Sequence, residues 1–342
     1  MKKRAIIFCL IAVFLLFLVM ISQATEKKVL RVSTWGGMYQ SCYEANVDAF
    51  EKENNVEIEW ILGDATLWQS KARLGQIDVV TSDLDHSISG LKEGLWLPLD
   101  ETKIPNMANL YNRAKYNEYT IWSNVGDFVI AYNSNKIPTP PTSWEDMWND
   151  AYHQKVVLFY LDSAGTVSLL VQLAEKYGGG IDNIKPGFDK LFELYKKGNI
   201  VAMVVTSAEA STLFQLEEAW IGMACNGRVL DLQKKGADFV KIARPKEGTY
   251  AMISTVQVVK TSKEPDLAMK FINYVLSPEC QEVFAEKTYY APTVNNAKIP
   301  SELEGILLSG EDIEKLYIPD WEKIDELKAK AKWSEMWQRA IQ

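Results

Sequence analysis

The chain has 342 residues, a formal net charge of −8 and a hydrophobic fraction of 47%. This composition excludes an intrinsically disordered protein, and the length predicts two domains that each hold a core of their own. The acidic balance argues against nucleic-acid binding, because phosphate contacts require clustered Lys and Arg. The 11 Trp, 15 Tyr and 12 Phe exceed what such cores need, so we expect part of this aromatic set at a binding surface.

Residues 1–24 have the three parts of a secretory signal peptide. A basic start precedes an apolar run from Ala5 to Ile21, and Ser22 and Ala24 are the small residues of a cleavage site. The alternative is a membrane anchor, since a run of about 17 residues is near the short limit for a spanning helix. No lipobox adjoins the cleavage site, so we expect a soluble periplasmic protein. Cleavage removes three positive charges and deepens the net charge from −8 to −11.

Cysteine and histidine are scarce in the mature chain. The mature chain has three cysteines: Cys42, Cys225 and Cys280. Three cysteines can form one disulfide at most, and no CxxC spacing occurs. His86 and His153 stand far apart in the sequence. We therefore expect no metal site and no cofactor, and few candidates exist for a catalytic base. An exported hydrolase would also require a Gly-x-Ser-x-Gly elbow, which the sequence lacks.

The first part of the mature chain alternates between strand and helix patterns. Hydrophobic periodicity predicts strands at 28–33, 56–62 and 77–81, with helices at 41–54 and 66–74. This βαβαβ order predicts a mostly parallel sheet flanked by helices. Ligands bind at the carboxyl ends of such strands, so we expect binding loops at 34–39, 63–66 and 82–87.

A strand at 127–133 is followed by a proline-rich break at residues 138–141, which is a candidate domain boundary. Ser143 then begins a helix with Asp146 in a capping-box arrangement. A second α/β series follows, with strands at 156–161, 200–205, 220–225, 239–243 and 251–259 and helices at 165–177, 186–197, 208–218, 265–276 and 278–287.

The C-terminal segment carries large apolar residues at helical spacing. They predict a helical tail that docks on the body of the protein. These residues are Trp321, Ile324, Leu327, Trp333 and Trp337.

Seven short motifs occur in an order that resembles one family. They are Thr34-Trp35-Gly36-Gly37, Glu93-Gly94-Leu95, Ser143-Trp144-Glu145-Asp146, Asn226-Gly227-Arg228, the PKEGT run at 245–249, the KFIN run at 270–273 with LSPE at 276–279, and Asp320-Trp321. Together they resemble the periplasmic solute-binding proteins of ABC transporters, specifically the spermidine/putrescine-binding branch. The resemblance covers nearly all of the mature chain.

The resemblance implies an α/β, type 2 periplasmic-binding fold, in which two lobes with helix-flanked mixed sheets enclose a ligand cleft. Lobe one would comprise 25–131 plus 251–301, and lobe two 132–250 plus 302–342. Such a protein binds a small solute, closes around it by a hinge motion and delivers it to a membrane permease. We therefore expect a monomeric transport receptor and no enzyme.

The resemblance also implies ligand contacts in lobe one. Trp35 and Tyr39 lie in the loop that carries a Trp and a Tyr in the family, where aromatic faces hold ammonium groups. Ser82 matches a family contact position, and Asp83 and Asp85 beside it are candidate carboxylates. Trp35 could instead be a core residue, and the two aspartates could instead cap a helix. Late in the chain, Tyr289 or Tyr290 occupies the place of a family tyrosine, and we select Tyr290.

This chain departs from the polyamine binders at their charged positions. Ser163, Thr166 and Ser254 stand where they carry acids, and Cys225 replaces a Trp before Asn226. A long polycation would lack its charge partners here, and burying unpaired ammonium groups is costly. We therefore do not expect spermidine itself to be the ligand.

Arg228 indicates an anionic group on the ligand. It follows the end of a predicted strand, where a guanidinium can take a carboxylate or phosphonate in a bidentate pair, although a structural or solvated Arg is the alternative. The amides of the helix that begins near Ser163 also favour an anion. Asp83, Asp85 or Asp127, with Trp35, would hold an amine at the opposite end. The predicted ligand is thus an amine, a diamine or an ω-amino acid.

An Fe(III)-binding receptor of the same superfamily is the second candidate. It would need adjacent tyrosines together with His or carboxylate ligands. Tyr289 and Tyr290 are adjacent, but they lie in a different part of the chain from the one expected for such a site, and only two His are present.

Overall fold

The computed structural model describes residues 27–161, 163–327 and 329–341. The predicted signal peptide at residues 1–24 lies outside the described residues. Within the described ranges, no helix combines the length and the apolar composition that crossing a membrane requires.

The strands of the described residues form one mixed sheet. They are β1 (Lys28–Thr34), β2 (Val56–Leu62), β3 (Val79–Asp83), β4 (Ile121–Asn133), β5 (Val156–Phe159), β6 (Ile200–Val204), β7 (Ile221–Cys225), β8 (Val240–Ala243) and β9 (Tyr250–Val258). The order is β2-β1-β3-β9-β4-β7-β5-β6, and β8 also pairs with β4. Parallel pairs (β1 with β2 and β3, β5 with β6 and β7) form the two ends, while β4 and β9 pair antiparallel with their neighbours.

Strand β4 belongs to both halves of this sheet. Over residues 121–128 it pairs with β9, and over residues 128–133 it pairs with β7 and β8. Phe128 is therefore the point at which β4 passes from one half of the sheet to the other.

The helices of the described residues connect these strands. They are α1 (Gly37–Glu44), α2 (Val47–Asn54), α3 (Ala65–Arg73), α4 (Leu84–Lys92), α5 (Ala164–Lys176), α6 (Lys185–Lys196), α7 (Ser207–Gln215), α8 (Asn226–Lys234), α9 (Pro265–Val275), α10 (Pro278–Thr288), α11 (Gly310–Lys315), α12 (Trp321–Glu326) and α13 (Ala329–Ile341). Short 3-10 helices lie at Pro105–Asn109, Asn112–Ala114, Trp144–Trp148, Asp150–Tyr152 and Ser301–Leu303.

Side-chain caps explain several helix starts. Ser277 accepts a hydrogen bond from the Cys280 amide at the start of α10, and the predicted capping box of Ser143 with Asp146 is present. The predicted Ser143 cap is therefore confirmed. The Ser143 box, however, begins a 3-10 helix rather than an α-helix.

The predicted helix over 41–54 is wrong in one respect that matters for the site. The structure has two helices there, and α1 begins at Gly37 because Gly36 adopts a φ of 77° that permits the chain to turn sharply. Tyr39 therefore lies in the first turn of α1 and not in a loop. Similarly, β3 lies two residues later than predicted, so that Asp83 is its last residue.

The predicted docking of the C-terminal tail is confirmed for its three tryptophans. Trp321, Trp333 and Trp337 are at most 5% exposed, and the Trp337 ring stacks on Phe192 with centroids 5.2 Å apart. Leu327 differs, since it is 38% exposed. The tail is thus anchored on α6 by aromatic packing.

Candidate solute-binding site

A cavity of about 330 Å³ opens between the two halves of the sheet, and we call it the cleft cavity. Its walls come from the carboxyl ends of β3, β5, β6 and β7, the region where ligands bind in α/β sheets. The start of β9 and the tail complete it. The lining residues are Asp83, Leu84, Asp85, His86, Phe128, Phe159, Ser163, Ala164, Val205, Ser207, Cys225, Ala251, Met252, Ile253 and Trp321.

The charge in the cleft cavity is confined to one wall. Asp83 ends β3, and Asp85 lies in the first turn of α4, where its carboxylate is 3.2 Å from Nδ1 of His86. Much of the remaining lining is apolar and includes Phe128 and Phe159. The cavity can therefore hold a cationic group at one end and an apolar body beside it.

The N-terminus of α5 lies on the opposite wall of the cleft cavity, where Ser163 and Ala164 line it. Ser163 is the N-cap residue but makes no side-chain capping bond, so the first amides of this 13-residue helix are not satisfied by it. Thr166, one turn in, is fully buried and donates from Oγ1 to the Phe159 carbonyl at 2.9 Å. Ser163 thus lines the cavity and Thr166 does not.

A second, smaller cavity of about 110 Å³ contains Arg228, and we call it the arginine cavity. It lies between α1, the first turn of α8 and the end of α10. The lining residues are Met38, Tyr39, Gly227, Arg228, Asp231, Lys287, Thr288, Tyr289 and Tyr290.

The two cavities approach each other over Gly126, in the middle of β4. A Cβ at this position would lie 2.7 Å from Cε of Met252 and 2.9 Å from Cδ1 of Tyr290. Met252 lines the cleft cavity and Tyr290 lines the arginine cavity. The missing side chain at residue 126 therefore lets these two walls come together.

Tyr290 lies between charges of opposite sign. Burial raises the pKa of its hydroxyl far above the ordinary value, and Asp83 raises it further while Arg228 lowers it. The hydroxyl is consequently neutral near pH 7 and can donate a hydrogen bond. The Asp83 carboxylate from one half of the sheet and the Arg228 guanidinium from the other half thus both affect the pKa of Tyr290.

Tyr39 and Trp35 are held by their neighbours. Asn124 donates a hydrogen bond to the Tyr39 hydroxyl at 2.7 Å, and burial raises the pKa of Tyr39 to about 12, with hydrogen bonds to Ser254 and Asn124 acting in the opposite direction. The Trp35 ring contacts Tyr39 and Trp68 at centroid distances of 4.7 and 5.2 Å. Trp35 is 36% exposed and lines neither cavity, whereas Tyr39 lines the arginine cavity.

Asp127 is not brought to either cavity. Neighbouring side chains in a strand point to opposite faces, so Gly126 and Phe128 face the cavities and Asp127 faces away. Its carboxylate is fully buried, 3.4 Å from Nε of Arg244. Burial raises the pKa of Asp127, and the Arg244 charge lowers it.

Three further residues predicted for the site lie within strands or at the start of α8. Ser82 is 2% exposed, with Oγ 3.5 Å from the Gln257 amide oxygen, and Ser254 is 7% exposed in β9. Asn226 donates to the Tyr289 carbonyl at 3.2 Å and accepts from the Asp127 amide. It positions the start of α8 rather than lining a cavity.

Sequence reasoning missed much of the apolar wall. Val205 and Ser207 follow β6, so the same carboxyl-end rule that selected other loops could have found them. Met252 and Trp321 carried no such signal, because β9 and the tail reach the cavity only through tertiary packing. The sequence marked Cys225 only because it replaces a family Trp before Asn226. In the structure Cys225 lines the cleft cavity, and its Sγ lies 3.3 Å from Oγ of Ser207.

No group of three His, Cys, Asp or Glu residues in the described ranges is arranged to hold a metal ion. The three cysteines there are free thiols and are buried. Burial raises the pKa of Cys42 to about 12 and that of Cys225 to about 11.

The chain matches the bacterial extracellular solute-binding protein family over residues 45–304, and it belongs to that family. It is 26% identical over 310 residues to a gamma-aminobutyric acid-binding protein of Pseudomonas aeruginosa, covering 85% of this chain and 84% of that protein. It is also 26% identical over 230 residues, 65% of each chain, to a spermidine/putrescine-binding periplasmic protein of Salmonella typhimurium.

Among solved structures, an ABC transporter protein from Clostridium perfringens superposes with a TM-score of 0.79 at 26% identity, covering 92% of this chain and all of that one. These comparisons confirm the predicted family and the two-lobe α/β fold. The family and these relatives are named as solute-binding proteins.

Proposed function

We propose that this chain is the receptor of an ABC transporter for a small amine or amino acid-like solute. The observation that carries the proposal is the cleft cavity, which has two carboxylates on one wall and apolar side chains on much of the rest. An ammonium group would pair with Asp83 and Asp85, and the carbon chain would lie on Phe128 and Phe159. Of the relatives, one is named for an ω-amino acid and another for polyamines.

The charge distribution favours a short solute over a long polyamine. Asp83 and Asp85 are the acids that line the cleft cavity, and they lie on the same side of it. Ser163 stands at an acidic position of polyamine binders, while Thr166 and Ser254 are buried away from the cavity. A second or third ammonium group would be desolvated without a partner, at a cost of several kcal/mol.

We also propose a division into lobes. Lobe one would comprise 25–131 plus 251–301, and lobe two 132–250 plus 302–342. Nη2 of Arg244, in lobe two, donates to the Ile306 carbonyl at 2.9 Å, which supports placing the segment after residue 301 in lobe two. Further along this segment, Arg113 of lobe one donates to the carbonyls of Ile313, Glu314 and Leu316 at 3.0 Å each, so the segment contacts both lobes.

The export signal predicted for residues 1–24 and the periplasmic relatives support a location in the periplasm. There the loaded receptor, acting as a monomer, would dock on a membrane permease. A ferric receptor remains the alternative within the superfamily, and an exported hydrolase the alternative outside it.

A ligand panel tests the proposed solute class. Thermal unfolding is followed with short amines, ω-amino acids, diamines, spermidine and ferric ion. A ligand at one hundred times its Kd stabilises the folded state by about 2.7 kcal/mol, which is several degrees in Tm. We expect this shift with a short amine or an ω-amino acid. A shift with ferric ion alone, or with none of the probes, would overturn the proposal.

Variants locate the site of binding. Asp83→Asn removes the charge partner of the amine, and we expect at least a tenfold weaker Kd by calorimetry. Asp238→Asn makes the same charge change at an exposed position away from both cavities and serves as the matched control. Equal affinities of the two variants would contradict the assignment of Asp83.

A further inference from the structure

The space in the cleft cavity exceeds what a short alkyl chain fills. Water occupies about 30 Å³ per molecule in the liquid, so a volume of about 330 Å³ has room for roughly eleven groups of that size. Butylamine, with five non-hydrogen atoms, would fill about half of it. The rest would hold water against apolar side chains or stay empty, and both arrangements forgo the contacts of a solute that fills the space. The volume therefore favours a solute of about nine to twelve non-hydrogen atoms.

Two phenylalanine rings of the cavity lining hold each other in a fixed orientation. Phe128 of β4 and Phe159 of β5 pack edge to face, with centroids 5.8 Å apart and ring planes at 71°. Both side chains are at most 6% exposed, so the surrounding core restricts their rotation. A further aromatic ring packs favourably on such a pair, edge to face or offset-stacked. An aromatic ring in the cavity would thus gain a contact that a saturated ring of similar size lacks.

Close packing brings the first turn of α5 to these rings. A Cβ at Gly165 would lie 2.8 Å from Cγ of Phe128 and 2.6 Å from Sδ of Met223, which is closer than real Cβ atoms come. Glycine at this position therefore lets α5 approach Phe128. Ala164, the residue before it, lines the cavity with only a methyl group. This small side chain helps to keep open the space beside the two rings.

The charges of the cleft cavity suit a solute with a single positive group. Asp83 and Asp85 are its carboxylates, and none of the described residues that line it is a Lys or an Arg. Arg228 lies in the arginine cavity, on the far side of the contact between the Met252 and Tyr290 walls. A carboxylate or a second ammonium group on the solute would therefore be desolvated in the cleft cavity without an opposite charge.

We propose that the solute of the cleft cavity is an arylalkyl monoamine. Its ammonium group pairs with Asp83 and Asp85. Its ring packs on Phe128 and Phe159, in the space that Ala164 leaves open. This inference rests on the proposed function and narrows it from small amines and amino acid-like solutes in general to monoamines that carry an aromatic ring.

Calorimetry with five probes tests this class. The candidate is 2-phenylethylamine; butylamine lacks the ring, 2-cyclohexylethylamine has a saturated ring, 4-aminobutanoate has an acid in place of the ring, and 2-phenylethanol lacks the charge. We expect wild type to bind 2-phenylethylamine at least tenfold more tightly than butylamine, 4-aminobutanoate or 2-phenylethanol, because the extra apolar surface and the ammonium group both contribute. The preference over 2-cyclohexylethylamine should be several-fold, since only the ring contact differs.

Two variants locate the ring of the solute. Phe159→Leu removes an aromatic edge but keeps an apolar side chain, and it should lower the preference for 2-phenylethylamine over butylamine about fivefold. Ala164→Leu fills the space beside the rings and should lower that preference at least tenfold. The ratio of two affinities is the readout, because a loss of folded protein affects both probes alike.

Matched controls make the same substitutions at residues that line neither cavity. Phe188→Leu changes a phenylalanine of α6 that is 1% exposed, and Ala49→Leu changes an exposed alanine of α2. Both controls should leave the preference unaltered. Circular dichroism and the unfolding midpoint confirm that each variant is folded.

The outcomes separate this inference from the proposed function. If wild type binds butylamine, 2-cyclohexylethylamine or 4-aminobutanoate as tightly as 2-phenylethylamine, or if Ala164→Leu leaves the preference unaltered, the arylalkyl class is overturned while the proposed function stands. If none of the amines binds, the proposed function fails. In that case 2-phenylethanol decides on the ring site alone: a thermal shift that Ala164→Leu abolishes upholds aryl packing on Phe128 and Phe159, and no shift overturns it.

Discussion

Gly126 is a residue at which one added methyl group tests the close packing of the two cavity walls. Contacts below 3.0 Å are essentially absent for real Cβ atoms, so alanine at this position must displace both Met252 and Tyr290. Overpacking of this kind costs about 1–3 kcal/mol. We predict that Gly126→Ala folds, loses a few degrees in Tm and binds the solute about tenfold more weakly, as measured by calorimetry.

A second substitution controls that prediction. Met252 makes the closest contact, and the double variant Gly126→Ala, Met252→Ala removes its flexible end. We expect the double variant to recover part of the lost affinity. Unchanged affinity in folded Gly126→Ala would show that the packing over this residue does not shape the solute site.

Asp127 gives a prediction about pH. Its folded-state pKa is raised, chiefly by burial, so its favourable contribution is complete below the ordinary aspartate pKa and is lost as pH rises through the raised value. Asp127→Asn does not titrate. We therefore predict that Asp127→Asn is more stable than wild type at pH 7. This advantage should shrink as pH falls through the raised pKa of Asp127 and should be largely lost near the ordinary aspartate pKa of about 3.8.

Urea unfolding of both proteins at pH 7, 5 and 3.5 measures this difference, because other titrating groups cancel between them. Solute affinity should not change, since Asp127 faces away from the cavities. A variant that is less stable at pH 7 than at pH 3.5, relative to wild type, would show that the Arg244 pair outweighs burial.

At the scale of residues, the sequence could predict which loops approach the cavities but not which side chains enter them. Asp83, Ser163 and Arg228 lie at strand ends or in the turns after them, and each lines a cavity. Asp127 and Ser254 lie inside β4 and β9, where a shift of one residue reverses the face. These two strands are buried almost throughout, so their hydrophobic pattern does not show which face of each strand points toward the cavities.

At the scale of elements, periodicity predicted most helices and strands because their apolar faces are regular. The prediction for β4 was six residues too short, because the strand begins at Ile121 and not at residue 127. The missed residues include Ser123 and Asn124, which are polar yet 1% exposed because β9 pairs with one edge of this stretch and residues 281–291 contact the other. Polar residues in a buried strand have no signature that separates them from a loop.

The tail helix α13 is anchored through one aromatic contact that can be removed. Trp337 is 1% exposed and stacks on Phe192, so truncation leaves a cavity in the core. We predict that Trp337→Ala lowers the free energy of unfolding by about 3–5 kcal/mol in urea titrations. Met336→Ala, next to it and 44% exposed, should cost under about 0.5 kcal/mol. Similar losses from both variants would contradict this anchoring.

At the scale of the whole molecule, a solute that contacts both walls favours an arrangement with the walls close together. The cleft cavity takes Asp83 from one half of the sheet and Phe159 from the other, and β4 and β9 join the halves. A ligand shifts such an equilibrium by its differential affinity for the closed form. We predict that saturating solute decreases the radius of gyration in X-ray scattering, and that Asp83→Asn at the same solute concentration shows a smaller decrease. An unchanged radius for wild type would contradict closure.

The three buried thiols have a practical consequence for measuring that motion. Only a thiolate reacts with maleimides or disulfides, and a thiol with a pKa of about 11 is ionised in roughly one molecule in ten thousand at pH 7. The native cysteines should therefore stay unlabelled in the folded protein. Two exposed cysteines, introduced one in each proposed lobe, could then carry a dye pair without removing Cys42, Cys225 or Cys280.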